Sequence, residues 1–223
     1  MTYSTSINAI ISAARSLLRN RRSVLLMLAV YAGLLAAIYL FVSTREATVS
    51  QLVLTLVTVV AAPVLFFVLQ AAIVNPSSRG LIKRSAKLLG VTTPMIALTV
   101  LAMYGLNKIQ THPTIVTTGR YLALAVIAPL LLVQLWIAVS DGGLRIRRVF
   151  RRAFAPQSVF VYACGFLVFA VVPYLLLQKT MPSSRPWLEV SLLVTRLGIS
   201  ALLMLIGWVL TVRTLSLLNA PKP

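Results

Sequence analysis

Five arginines crowd eight consecutive positions: Arg145, Arg147, Arg148, Arg151 and Arg152. A guanidinium carries a planar fork of N–H donors that meets a phosphate or carboxylate through two parallel hydrogen bonds. Their spacing is as informative as their number. Ile146, Val149, Phe150 and Ala153 fall at i, i+3, i+4 and i+7, one face of a helix, and the arginines cover the opposite face. Leu144–Ala155 therefore reads as a basic amphipathic helix.

Two other segments have the same character. Leu81–Leu89 sets Lys83, Arg84 and Lys87 on a polar side. Ile7–Arg22 sets Ile7, Ile10, Ile11, Ala14 and Leu18 on one face, with Arg15, Arg19 and Arg22 away from it. Such helices lie in the membrane interface, apolar side among acyl chains and bases among headgroups. Each Lys or Arg near an anionic leaflet contributes about 1 kcal/mol. Arg15, Arg19, Lys83, Arg84, Lys87 and the five arginines of 145–152 are thus candidate contacts for lipid headgroups or an acidic partner. The alternative is simple topological anchoring without selectivity, since short cytoplasmic segments of membrane proteins gather bases anyway.

A second candidate site lies at mid-membrane depth. Pro63 and Pro129 each remove one helical hydrogen bond, and freed carbonyls can line a cavity. Arg196 is the one base well inside an apolar segment, where a charge is a functional candidate. It lies nine residues from Trp187, so it could also snorkel outward, and Glu189 is within reach as a partner. Gln70 and Gln134 can join neighbouring helices by hydrogen bonds.

Other chemistries lack their residues. The chain has three acids, one His and one Cys. Acid–base hydrolysis wants paired carboxylates, and a zinc site wants several His, Cys or acidic ligands. Cys164 reads as a small packing residue, and His112 as a loop residue. Asp141, Gly142 and Gly143 read as a helix stop, the carboxylate serving as an ion-pair partner for the nearby arginines. No metal, cofactor or enzymatic activity is expected. Nor is a nucleic-acid partner, because Phe150 and Phe154 fall on the apolar face rather than among the bases.

The elements that position these residues follow from composition. Of 223 residues, 59% are hydrophobic and 11% charged, with a net charge of +18. A soluble domain carries about 25% charged residues, so this is an all-α polytopic membrane chain. Six segments approach the ~20 apolar residues a span needs: Ser23–Val42, Gln51–Val74, Thr92–Leu106, Gly119–Val139, Ser158–Leu177 and Trp187–Val212. The third is cut short by Asn107 and Lys108, and would draw on Leu88–Val91 or thin the bilayer. Fifteen Lys and Arg fall on one side of these spans and five on the other. That bias predicts both termini in the cytoplasm. Tyr39, Tyr174 and Trp187 are placed near the outer boundary, and Trp136, Tyr162 and Trp208 near the inner one.

A repeat is also legible. Ile82–Lys87 aligns with Ile146–Arg151 at a shift of 64, base on base and apolar on apolar or small. Ala62-Pro63 aligns with Ala128-Pro129, and Gln70 with Gln134. With a degenerate first copy, the units would be 7–74, 75–140 and 141–213, each a basic helix followed by two spans in the same orientation. Recurrence of basic segments and apolar spans by coincidence is the alternative.

The lead-in Ser16-Leu17-Leu18-Arg19-Asn20-Arg21-Arg22, and Arg147-Arg148-Val149-Phe150-Arg151-Arg152 running into a new span, resemble the six-helix bacterial membrane domain that precedes some glycerophosphodiester phosphodiesterases. The resemblance implies a bacterial inner-membrane protein with six helices. It transfers no activity, because no phosphodiesterase catalytic domain is present. The expected protein is a non-enzymatic membrane bundle of six spans and three basic interfacial helices. It would bind anionic lipid or serve as an accessory or scaffold subunit. The alternative is a small uncoupled transporter or channel for an anionic or amphiphilic solute.

Overall fold

The computed structural model describes residues 2–44, 48–75, 80–108, 113–140, 145–178 and 186–219, and every element among them is helical. The expectations placed on His112, Asp141, Gly142, Gly143 and Leu144 lie outside those residues, as do Arg45, Arg79, Lys179, Arg185 and Lys222 among the bases counted on the two sides. Among the described residues six helical segments are long and apolar enough to cross a membrane: Arg21–Ser43, Val49–Val74, Leu81–Gly105, Val116–Ser140, Pro156–Gln178 and Trp187–Asn219. The chain is an integral membrane protein built as an all-α bundle.

Helix α1 (Thr2–Arg19) is the amphipathic lead-in. Asn20 separates it from α2 (Arg21–Ser43), and its side chain accepts from the backbone N–H of Ser23 at 3.3 Å. That is the usual way an asparagine satisfies one orphan donor at a helix start. Arg21 and Arg22 therefore belong to the first span rather than to the lead-in. Helix α3 (Val49–Val74) starts from a Thr48 cap, whose Oγ1 accepts from the N–H of Gln51.

Helix α4 (Leu81–Lys108) corrects one expectation. The second basic segment does not stand apart from the third span; both are one unbroken helix. The physical reason is the lack of any stop signal between Leu89 and Thr92. A lone Gly90 costs only about 1 kcal/mol in a helix, and the union supplies the length that Thr92–Leu106 lacked. The helix begins at Gly80, whose left-handed φ of 69° suits a residue without a Cβ, and whose carbonyl accepts from the N–H of Arg84 at 3.0 Å. Two basic helices, rather than three, stand as separate elements among the described residues: α1 and α7 (Ile146–Ala153).

The fourth and fifth spans each contain a π-helical turn. In the fourth, α5 (Pro113–Leu122) passes through Ala123–Ile127 into α6 (Ala128–Ser140). In the fifth, α8 (Pro156–Phe166) passes through Leu167–Val171 into α9 (Val172–Gln178). The last helix is α10 (Pro186–Asn219). Ala128 N–H bonds the carbonyl of Ala123, and Val172 N–H that of Leu167, each five residues back. Pro129 and Pro173 follow one residue later. The widened turn makes room where a proline ring would strike the carbonyl four residues behind. Pro129 thus shares its local geometry with Pro173, whereas α3 stays α-helical through Pro63.

The helices group into two compact units, Leu17–Ala153, and Met1–Ser16 with Phe154–Pro223. In the first, burial is concentrated at one end of the helices. Residues Leu69 to Val74 of α3 are all buried, as are Leu130, Leu131, Val133, Gln134 and Trp136 to Ala138 of α6. The opposite half of α3 buries only Thr55 and Thr58, whose hydroxyls bond back to carbonyls of their own helix. Exposed apolar residues there, such as Leu56, Val57 and Val60, suit contact with acyl chains. Trp136 is 2% exposed and packs against Phe66, with ring centroids 6.2 Å apart.

In the second unit α8 and α10 approach closely through glycines. A Cβ on Gly165 would stand 1.8 Å from Thr211 Oγ1, and one on Gly207 would stand 2.9 Å from Phe169 Cβ. Small residues that admit a neighbouring helix are a main source of packing within membranes. Phe169 lies in the π turn and edges onto Trp208, centroids 5.2 Å apart at 84°. Tyr162 is buried beside Phe166 and Phe169.

Candidate functional site

The basic helix α7 is held by its own apolar edge. Val149 is 5% exposed and Ala153 0%, packed on the unit that contains α6, whereas Ile146 and Phe150 are 65% and 49% exposed. The expected single apolar face is therefore two faces. At about 100° per residue, Val149 and Ala153 point to the protein, and Ile146 and Phe150 occupy the next sector. The arginines fill the remaining arc. Arg145 lies at the helix start, where its carbonyl accepts the N–H groups of Arg148 and Val149 at 2.9 and 3.1 Å.

Arg145, Arg147, Arg148 and Arg151 are exposed and line a concavity of about 430 Å³. Arg152 is half-buried and lies outside that lining. Of the chain's three acids, Glu189 alone falls among the described residues. The first turn of α7 carries no acid either. The like charges of four arginines bordering one concavity repel each other, and the partial positive charge of a helix N-terminus adds to them. An anion is the species such a surface stabilises.

The other sequence-derived bases divide by role. On α4, Lys83 and Lys87 are exposed. Arg84 is half-buried and donates from Nη1 to the Asn75 carbonyl at 3.2 Å. Asn75 caps the end of α3, so Arg84 satisfies a helix C-terminus as basic side chains often do. On α1, Arg15 and Arg19 are exposed. The buried residues of α1 are Ser6 and Ala13, with Ile10 half-buried, whereas Ile7, Ile11 and Leu18 are exposed. The expected apolar face of α1 is therefore its outward one, offset from the side that packs on protein.

Pro63 is exposed on α3 and Pro129 is half-buried behind its π turn. Arg196 is half-buried in α10, in the other unit. None of the three lines the α7 concavity or the second cavity. That second cavity, of about 120 Å³, lies within Met1–Ser16 and Phe154–Pro223, bounded by Ile10, Val161, Cys164, Gly165, Gly207 and Thr211 among others. Its hydroxyls are engaged: Thr211 bonds Gly207 O at 2.6 Å and Thr214 bonds Leu210 O at 2.7 Å. Cys164 is half-buried there. Gln70 and Gln134 are both buried. Among the described residues no three His, Cys, Asp or Glu side chains come together.

Sequence reasoning missed Pro173 and the tie between Trp136 and Thr92, whose Oγ1 accepts from the indole Nε1 at 2.8 Å. Pro173 carried a signal, since Ala170-Val171-Val172-Pro173 parallels Val126-Ile127-Ala128-Pro129. The tie between Trp136 and Thr92 carried none, because 44 residues separate its partners.

No protein-family model, curated protein or solved structure matches the chain. The functional reading therefore rests on the geometry of its own residues.

Proposed function

We propose that the protein is a non-enzymatic membrane protein that binds anionic lipid headgroups through its basic face, as an accessory or scaffold component of a membrane assembly. The observation that carries this is the division of α7 into three faces. Val149 and Ala153 fix the helix to the bundle, Ile146 and Phe150 turn outward to meet acyl chains, and four arginines surround an open concavity. A lipid presents the same pairing of apolar chain and anionic head. The excess of Lys and Arg on that side supports a cytoplasmic location for the basic face and both termini. The arginine-rich lead-ins support a bacterial inner membrane as the setting.

The test is native mass spectrometry of protein extracted gently from its own membrane. The wild type is expected to carry anionic lipids, and the Arg147→Gln, Arg148→Gln, Arg151→Gln, Arg152→Gln variant to lose them. Unchanged lipid content in that variant would overturn the proposal. Co-purifying subunits would define the assembly.

A further inference from the structure

We propose that the α7 concavity selects lipid headgroups bearing two phosphates over headgroups bearing one. This rests on the reading that α7 binds anionic lipid, and names the class of lipid. Size is the first argument. The concavity measures about 430 Å³, within the ~300–1,000 Å³ of sites that hold whole ligands rather than single ions.

Valence is the second. One phosphodiester carries a single negative charge, spread over two free oxygens. Four arginines line this surface, so one phosphate leaves most of the positive charge unmatched. Spacing is the third argument. Arg147 and Arg151 stand at i and i+4, the separation that makes side chains neighbours along a helix, and Arg145, just ahead of the helix, precedes Arg148 by three residues. They form two adjacent pairs, each suited to clamp one phosphate. All five bases of residues 145–152 are arginine, the residue whose fork matches phosphate, rather than the point-charge lysine.

A free diphosphate would offer the same charges. The lipid is favoured because Ile146 and Phe150 are exposed directly beside Arg147 and Arg151 on the helix surface. They supply an apolar exit for acyl chains that a soluble anion would not use.

The experiment uses the full chain in nanodiscs of neutral phosphatidylcholine. These are doped at equal total charge with cardiolipin, which has two phosphodiesters, or with phosphatidylglycerol, which has one. Retained lipid is counted after gentle extraction. A preference for cardiolipin of about tenfold is expected, worth roughly 1.4 kcal/mol. The Arg147→Lys, Arg151→Lys variant keeps every charge and alters only exposed positions. It should still retain both anionic lipids in a salt-sensitive way, with the preference falling to about twofold or less, since lysine loses the bidentate fork. Equal retention of the two lipids by the wild type would overturn the inference and leave anionic-lipid binding standing. Retention of neither above phosphatidylcholine would overturn both. Full preference in the lysine variant would refute the clamps. Pyrophosphate binding as tightly as cardiolipin, in neutral nanodiscs, would make the concavity a soluble-anion site and refute the lipid assignment.

Discussion

The indole Nε1 of Trp136 donates to Thr92 Oγ1 at 2.8 Å, and that hydroxyl donates onward to the Leu88 carbonyl at 2.7 Å. The chain of two bonds fixes α6 to α4 within the unit that carries α7, and both side chains are buried. Thr92→Val keeps the shape but leaves the indole N–H without an acceptor. The expected cost is about 1–3 kcal/mol, the penalty of a buried donor left unmade. Trp136→Phe removes the donor and leaves a gap, so it should also destabilise. The double variant should cost less than the sum, because the two changes abolish one shared bond. Equilibrium unfolding from mixed micelles measures all three, and strict additivity would show that the bond contributes nothing.

Glycines divide into those that admit a neighbour and those that face open space. A Cβ at Gly165 collides with Thr211 Oγ1, and one at Gly207 reaches both Cβ and backbone N of Phe169. Gly165→Ala and Gly207→Ala should each destabilise by about 1–3 kcal/mol, the usual range for overpacking. Thr211→Ala should partly rescue Gly165→Ala, since the obstructing atoms are that side chain's. It should not rescue Gly207→Ala, where backbone obstructs. Gly90 and Gly198 have nothing within 4 Å of an added Cβ, so alanine there should be neutral or slightly stabilising through helix propensity. The order of unfolding midpoints among these variants decides the matter.

The spans and the all-α class were legible because long apolar runs have one structural outcome in a bilayer. The sequence also placed the arginines of α7 opposite Ile146, Val149, Phe150 and Ala153. It could not separate Val149 and Ala153, which are buried, from Ile146 and Phe150, which are exposed, because hydrophobicity is the same toward lipid and toward protein. The same ambiguity hid the burial of Trp136 and Tyr162 against protein and the offset faces of α1. The union of Leu81–Leu89 with the third span was missed because basic residues signal a membrane boundary whether or not the helix stops there. Pro63 and Pro129 looked equivalent by type and depth, and only backbone geometry distinguishes them.

Arg84 differs from its neighbours Lys83 and Lys87 in what it touches. Its guanidinium reaches the Asn75 carbonyl at the end of α3, whereas the lysines are exposed. Arg84→Gln should therefore lower stability by about 1 kcal/mol, the net worth of one partly exposed hydrogen bond, with little change in bound lipid. Lys83→Gln with Lys87→Gln should leave stability unchanged within about 0.5 kcal/mol, as for surface positions generally, and weaken anionic-lipid retention at low salt. Unfolding midpoints and lipid counts on the same preparations separate the two roles. A loss of lipid on replacing Arg84 alone would return it to the headgroup set.

A solute path past Pro63 would need water there, and the structure sets this residue on the outside of α3. It is exposed midway along a span whose neighbouring Val60 and Val64 are also exposed and apolar. A cysteine at this position, in a chain with Cys164→Ser, should thus sit among acyl chains. A charged, membrane-impermeant thiol reagent should leave Pro63→Cys unlabelled from either side, because the thiolate that reacts does not form in hydrocarbon. A cysteine replacing Lys87 at the exposed basic end of α4 serves as the accessible control. Labelling at position 63 at a rate near that of the control would place water beside the proline and favour the transporter reading over lipid binding. Protection at 63 with full labelling at 87 removes Pro63 from any aqueous route and counts against a solute path along α3.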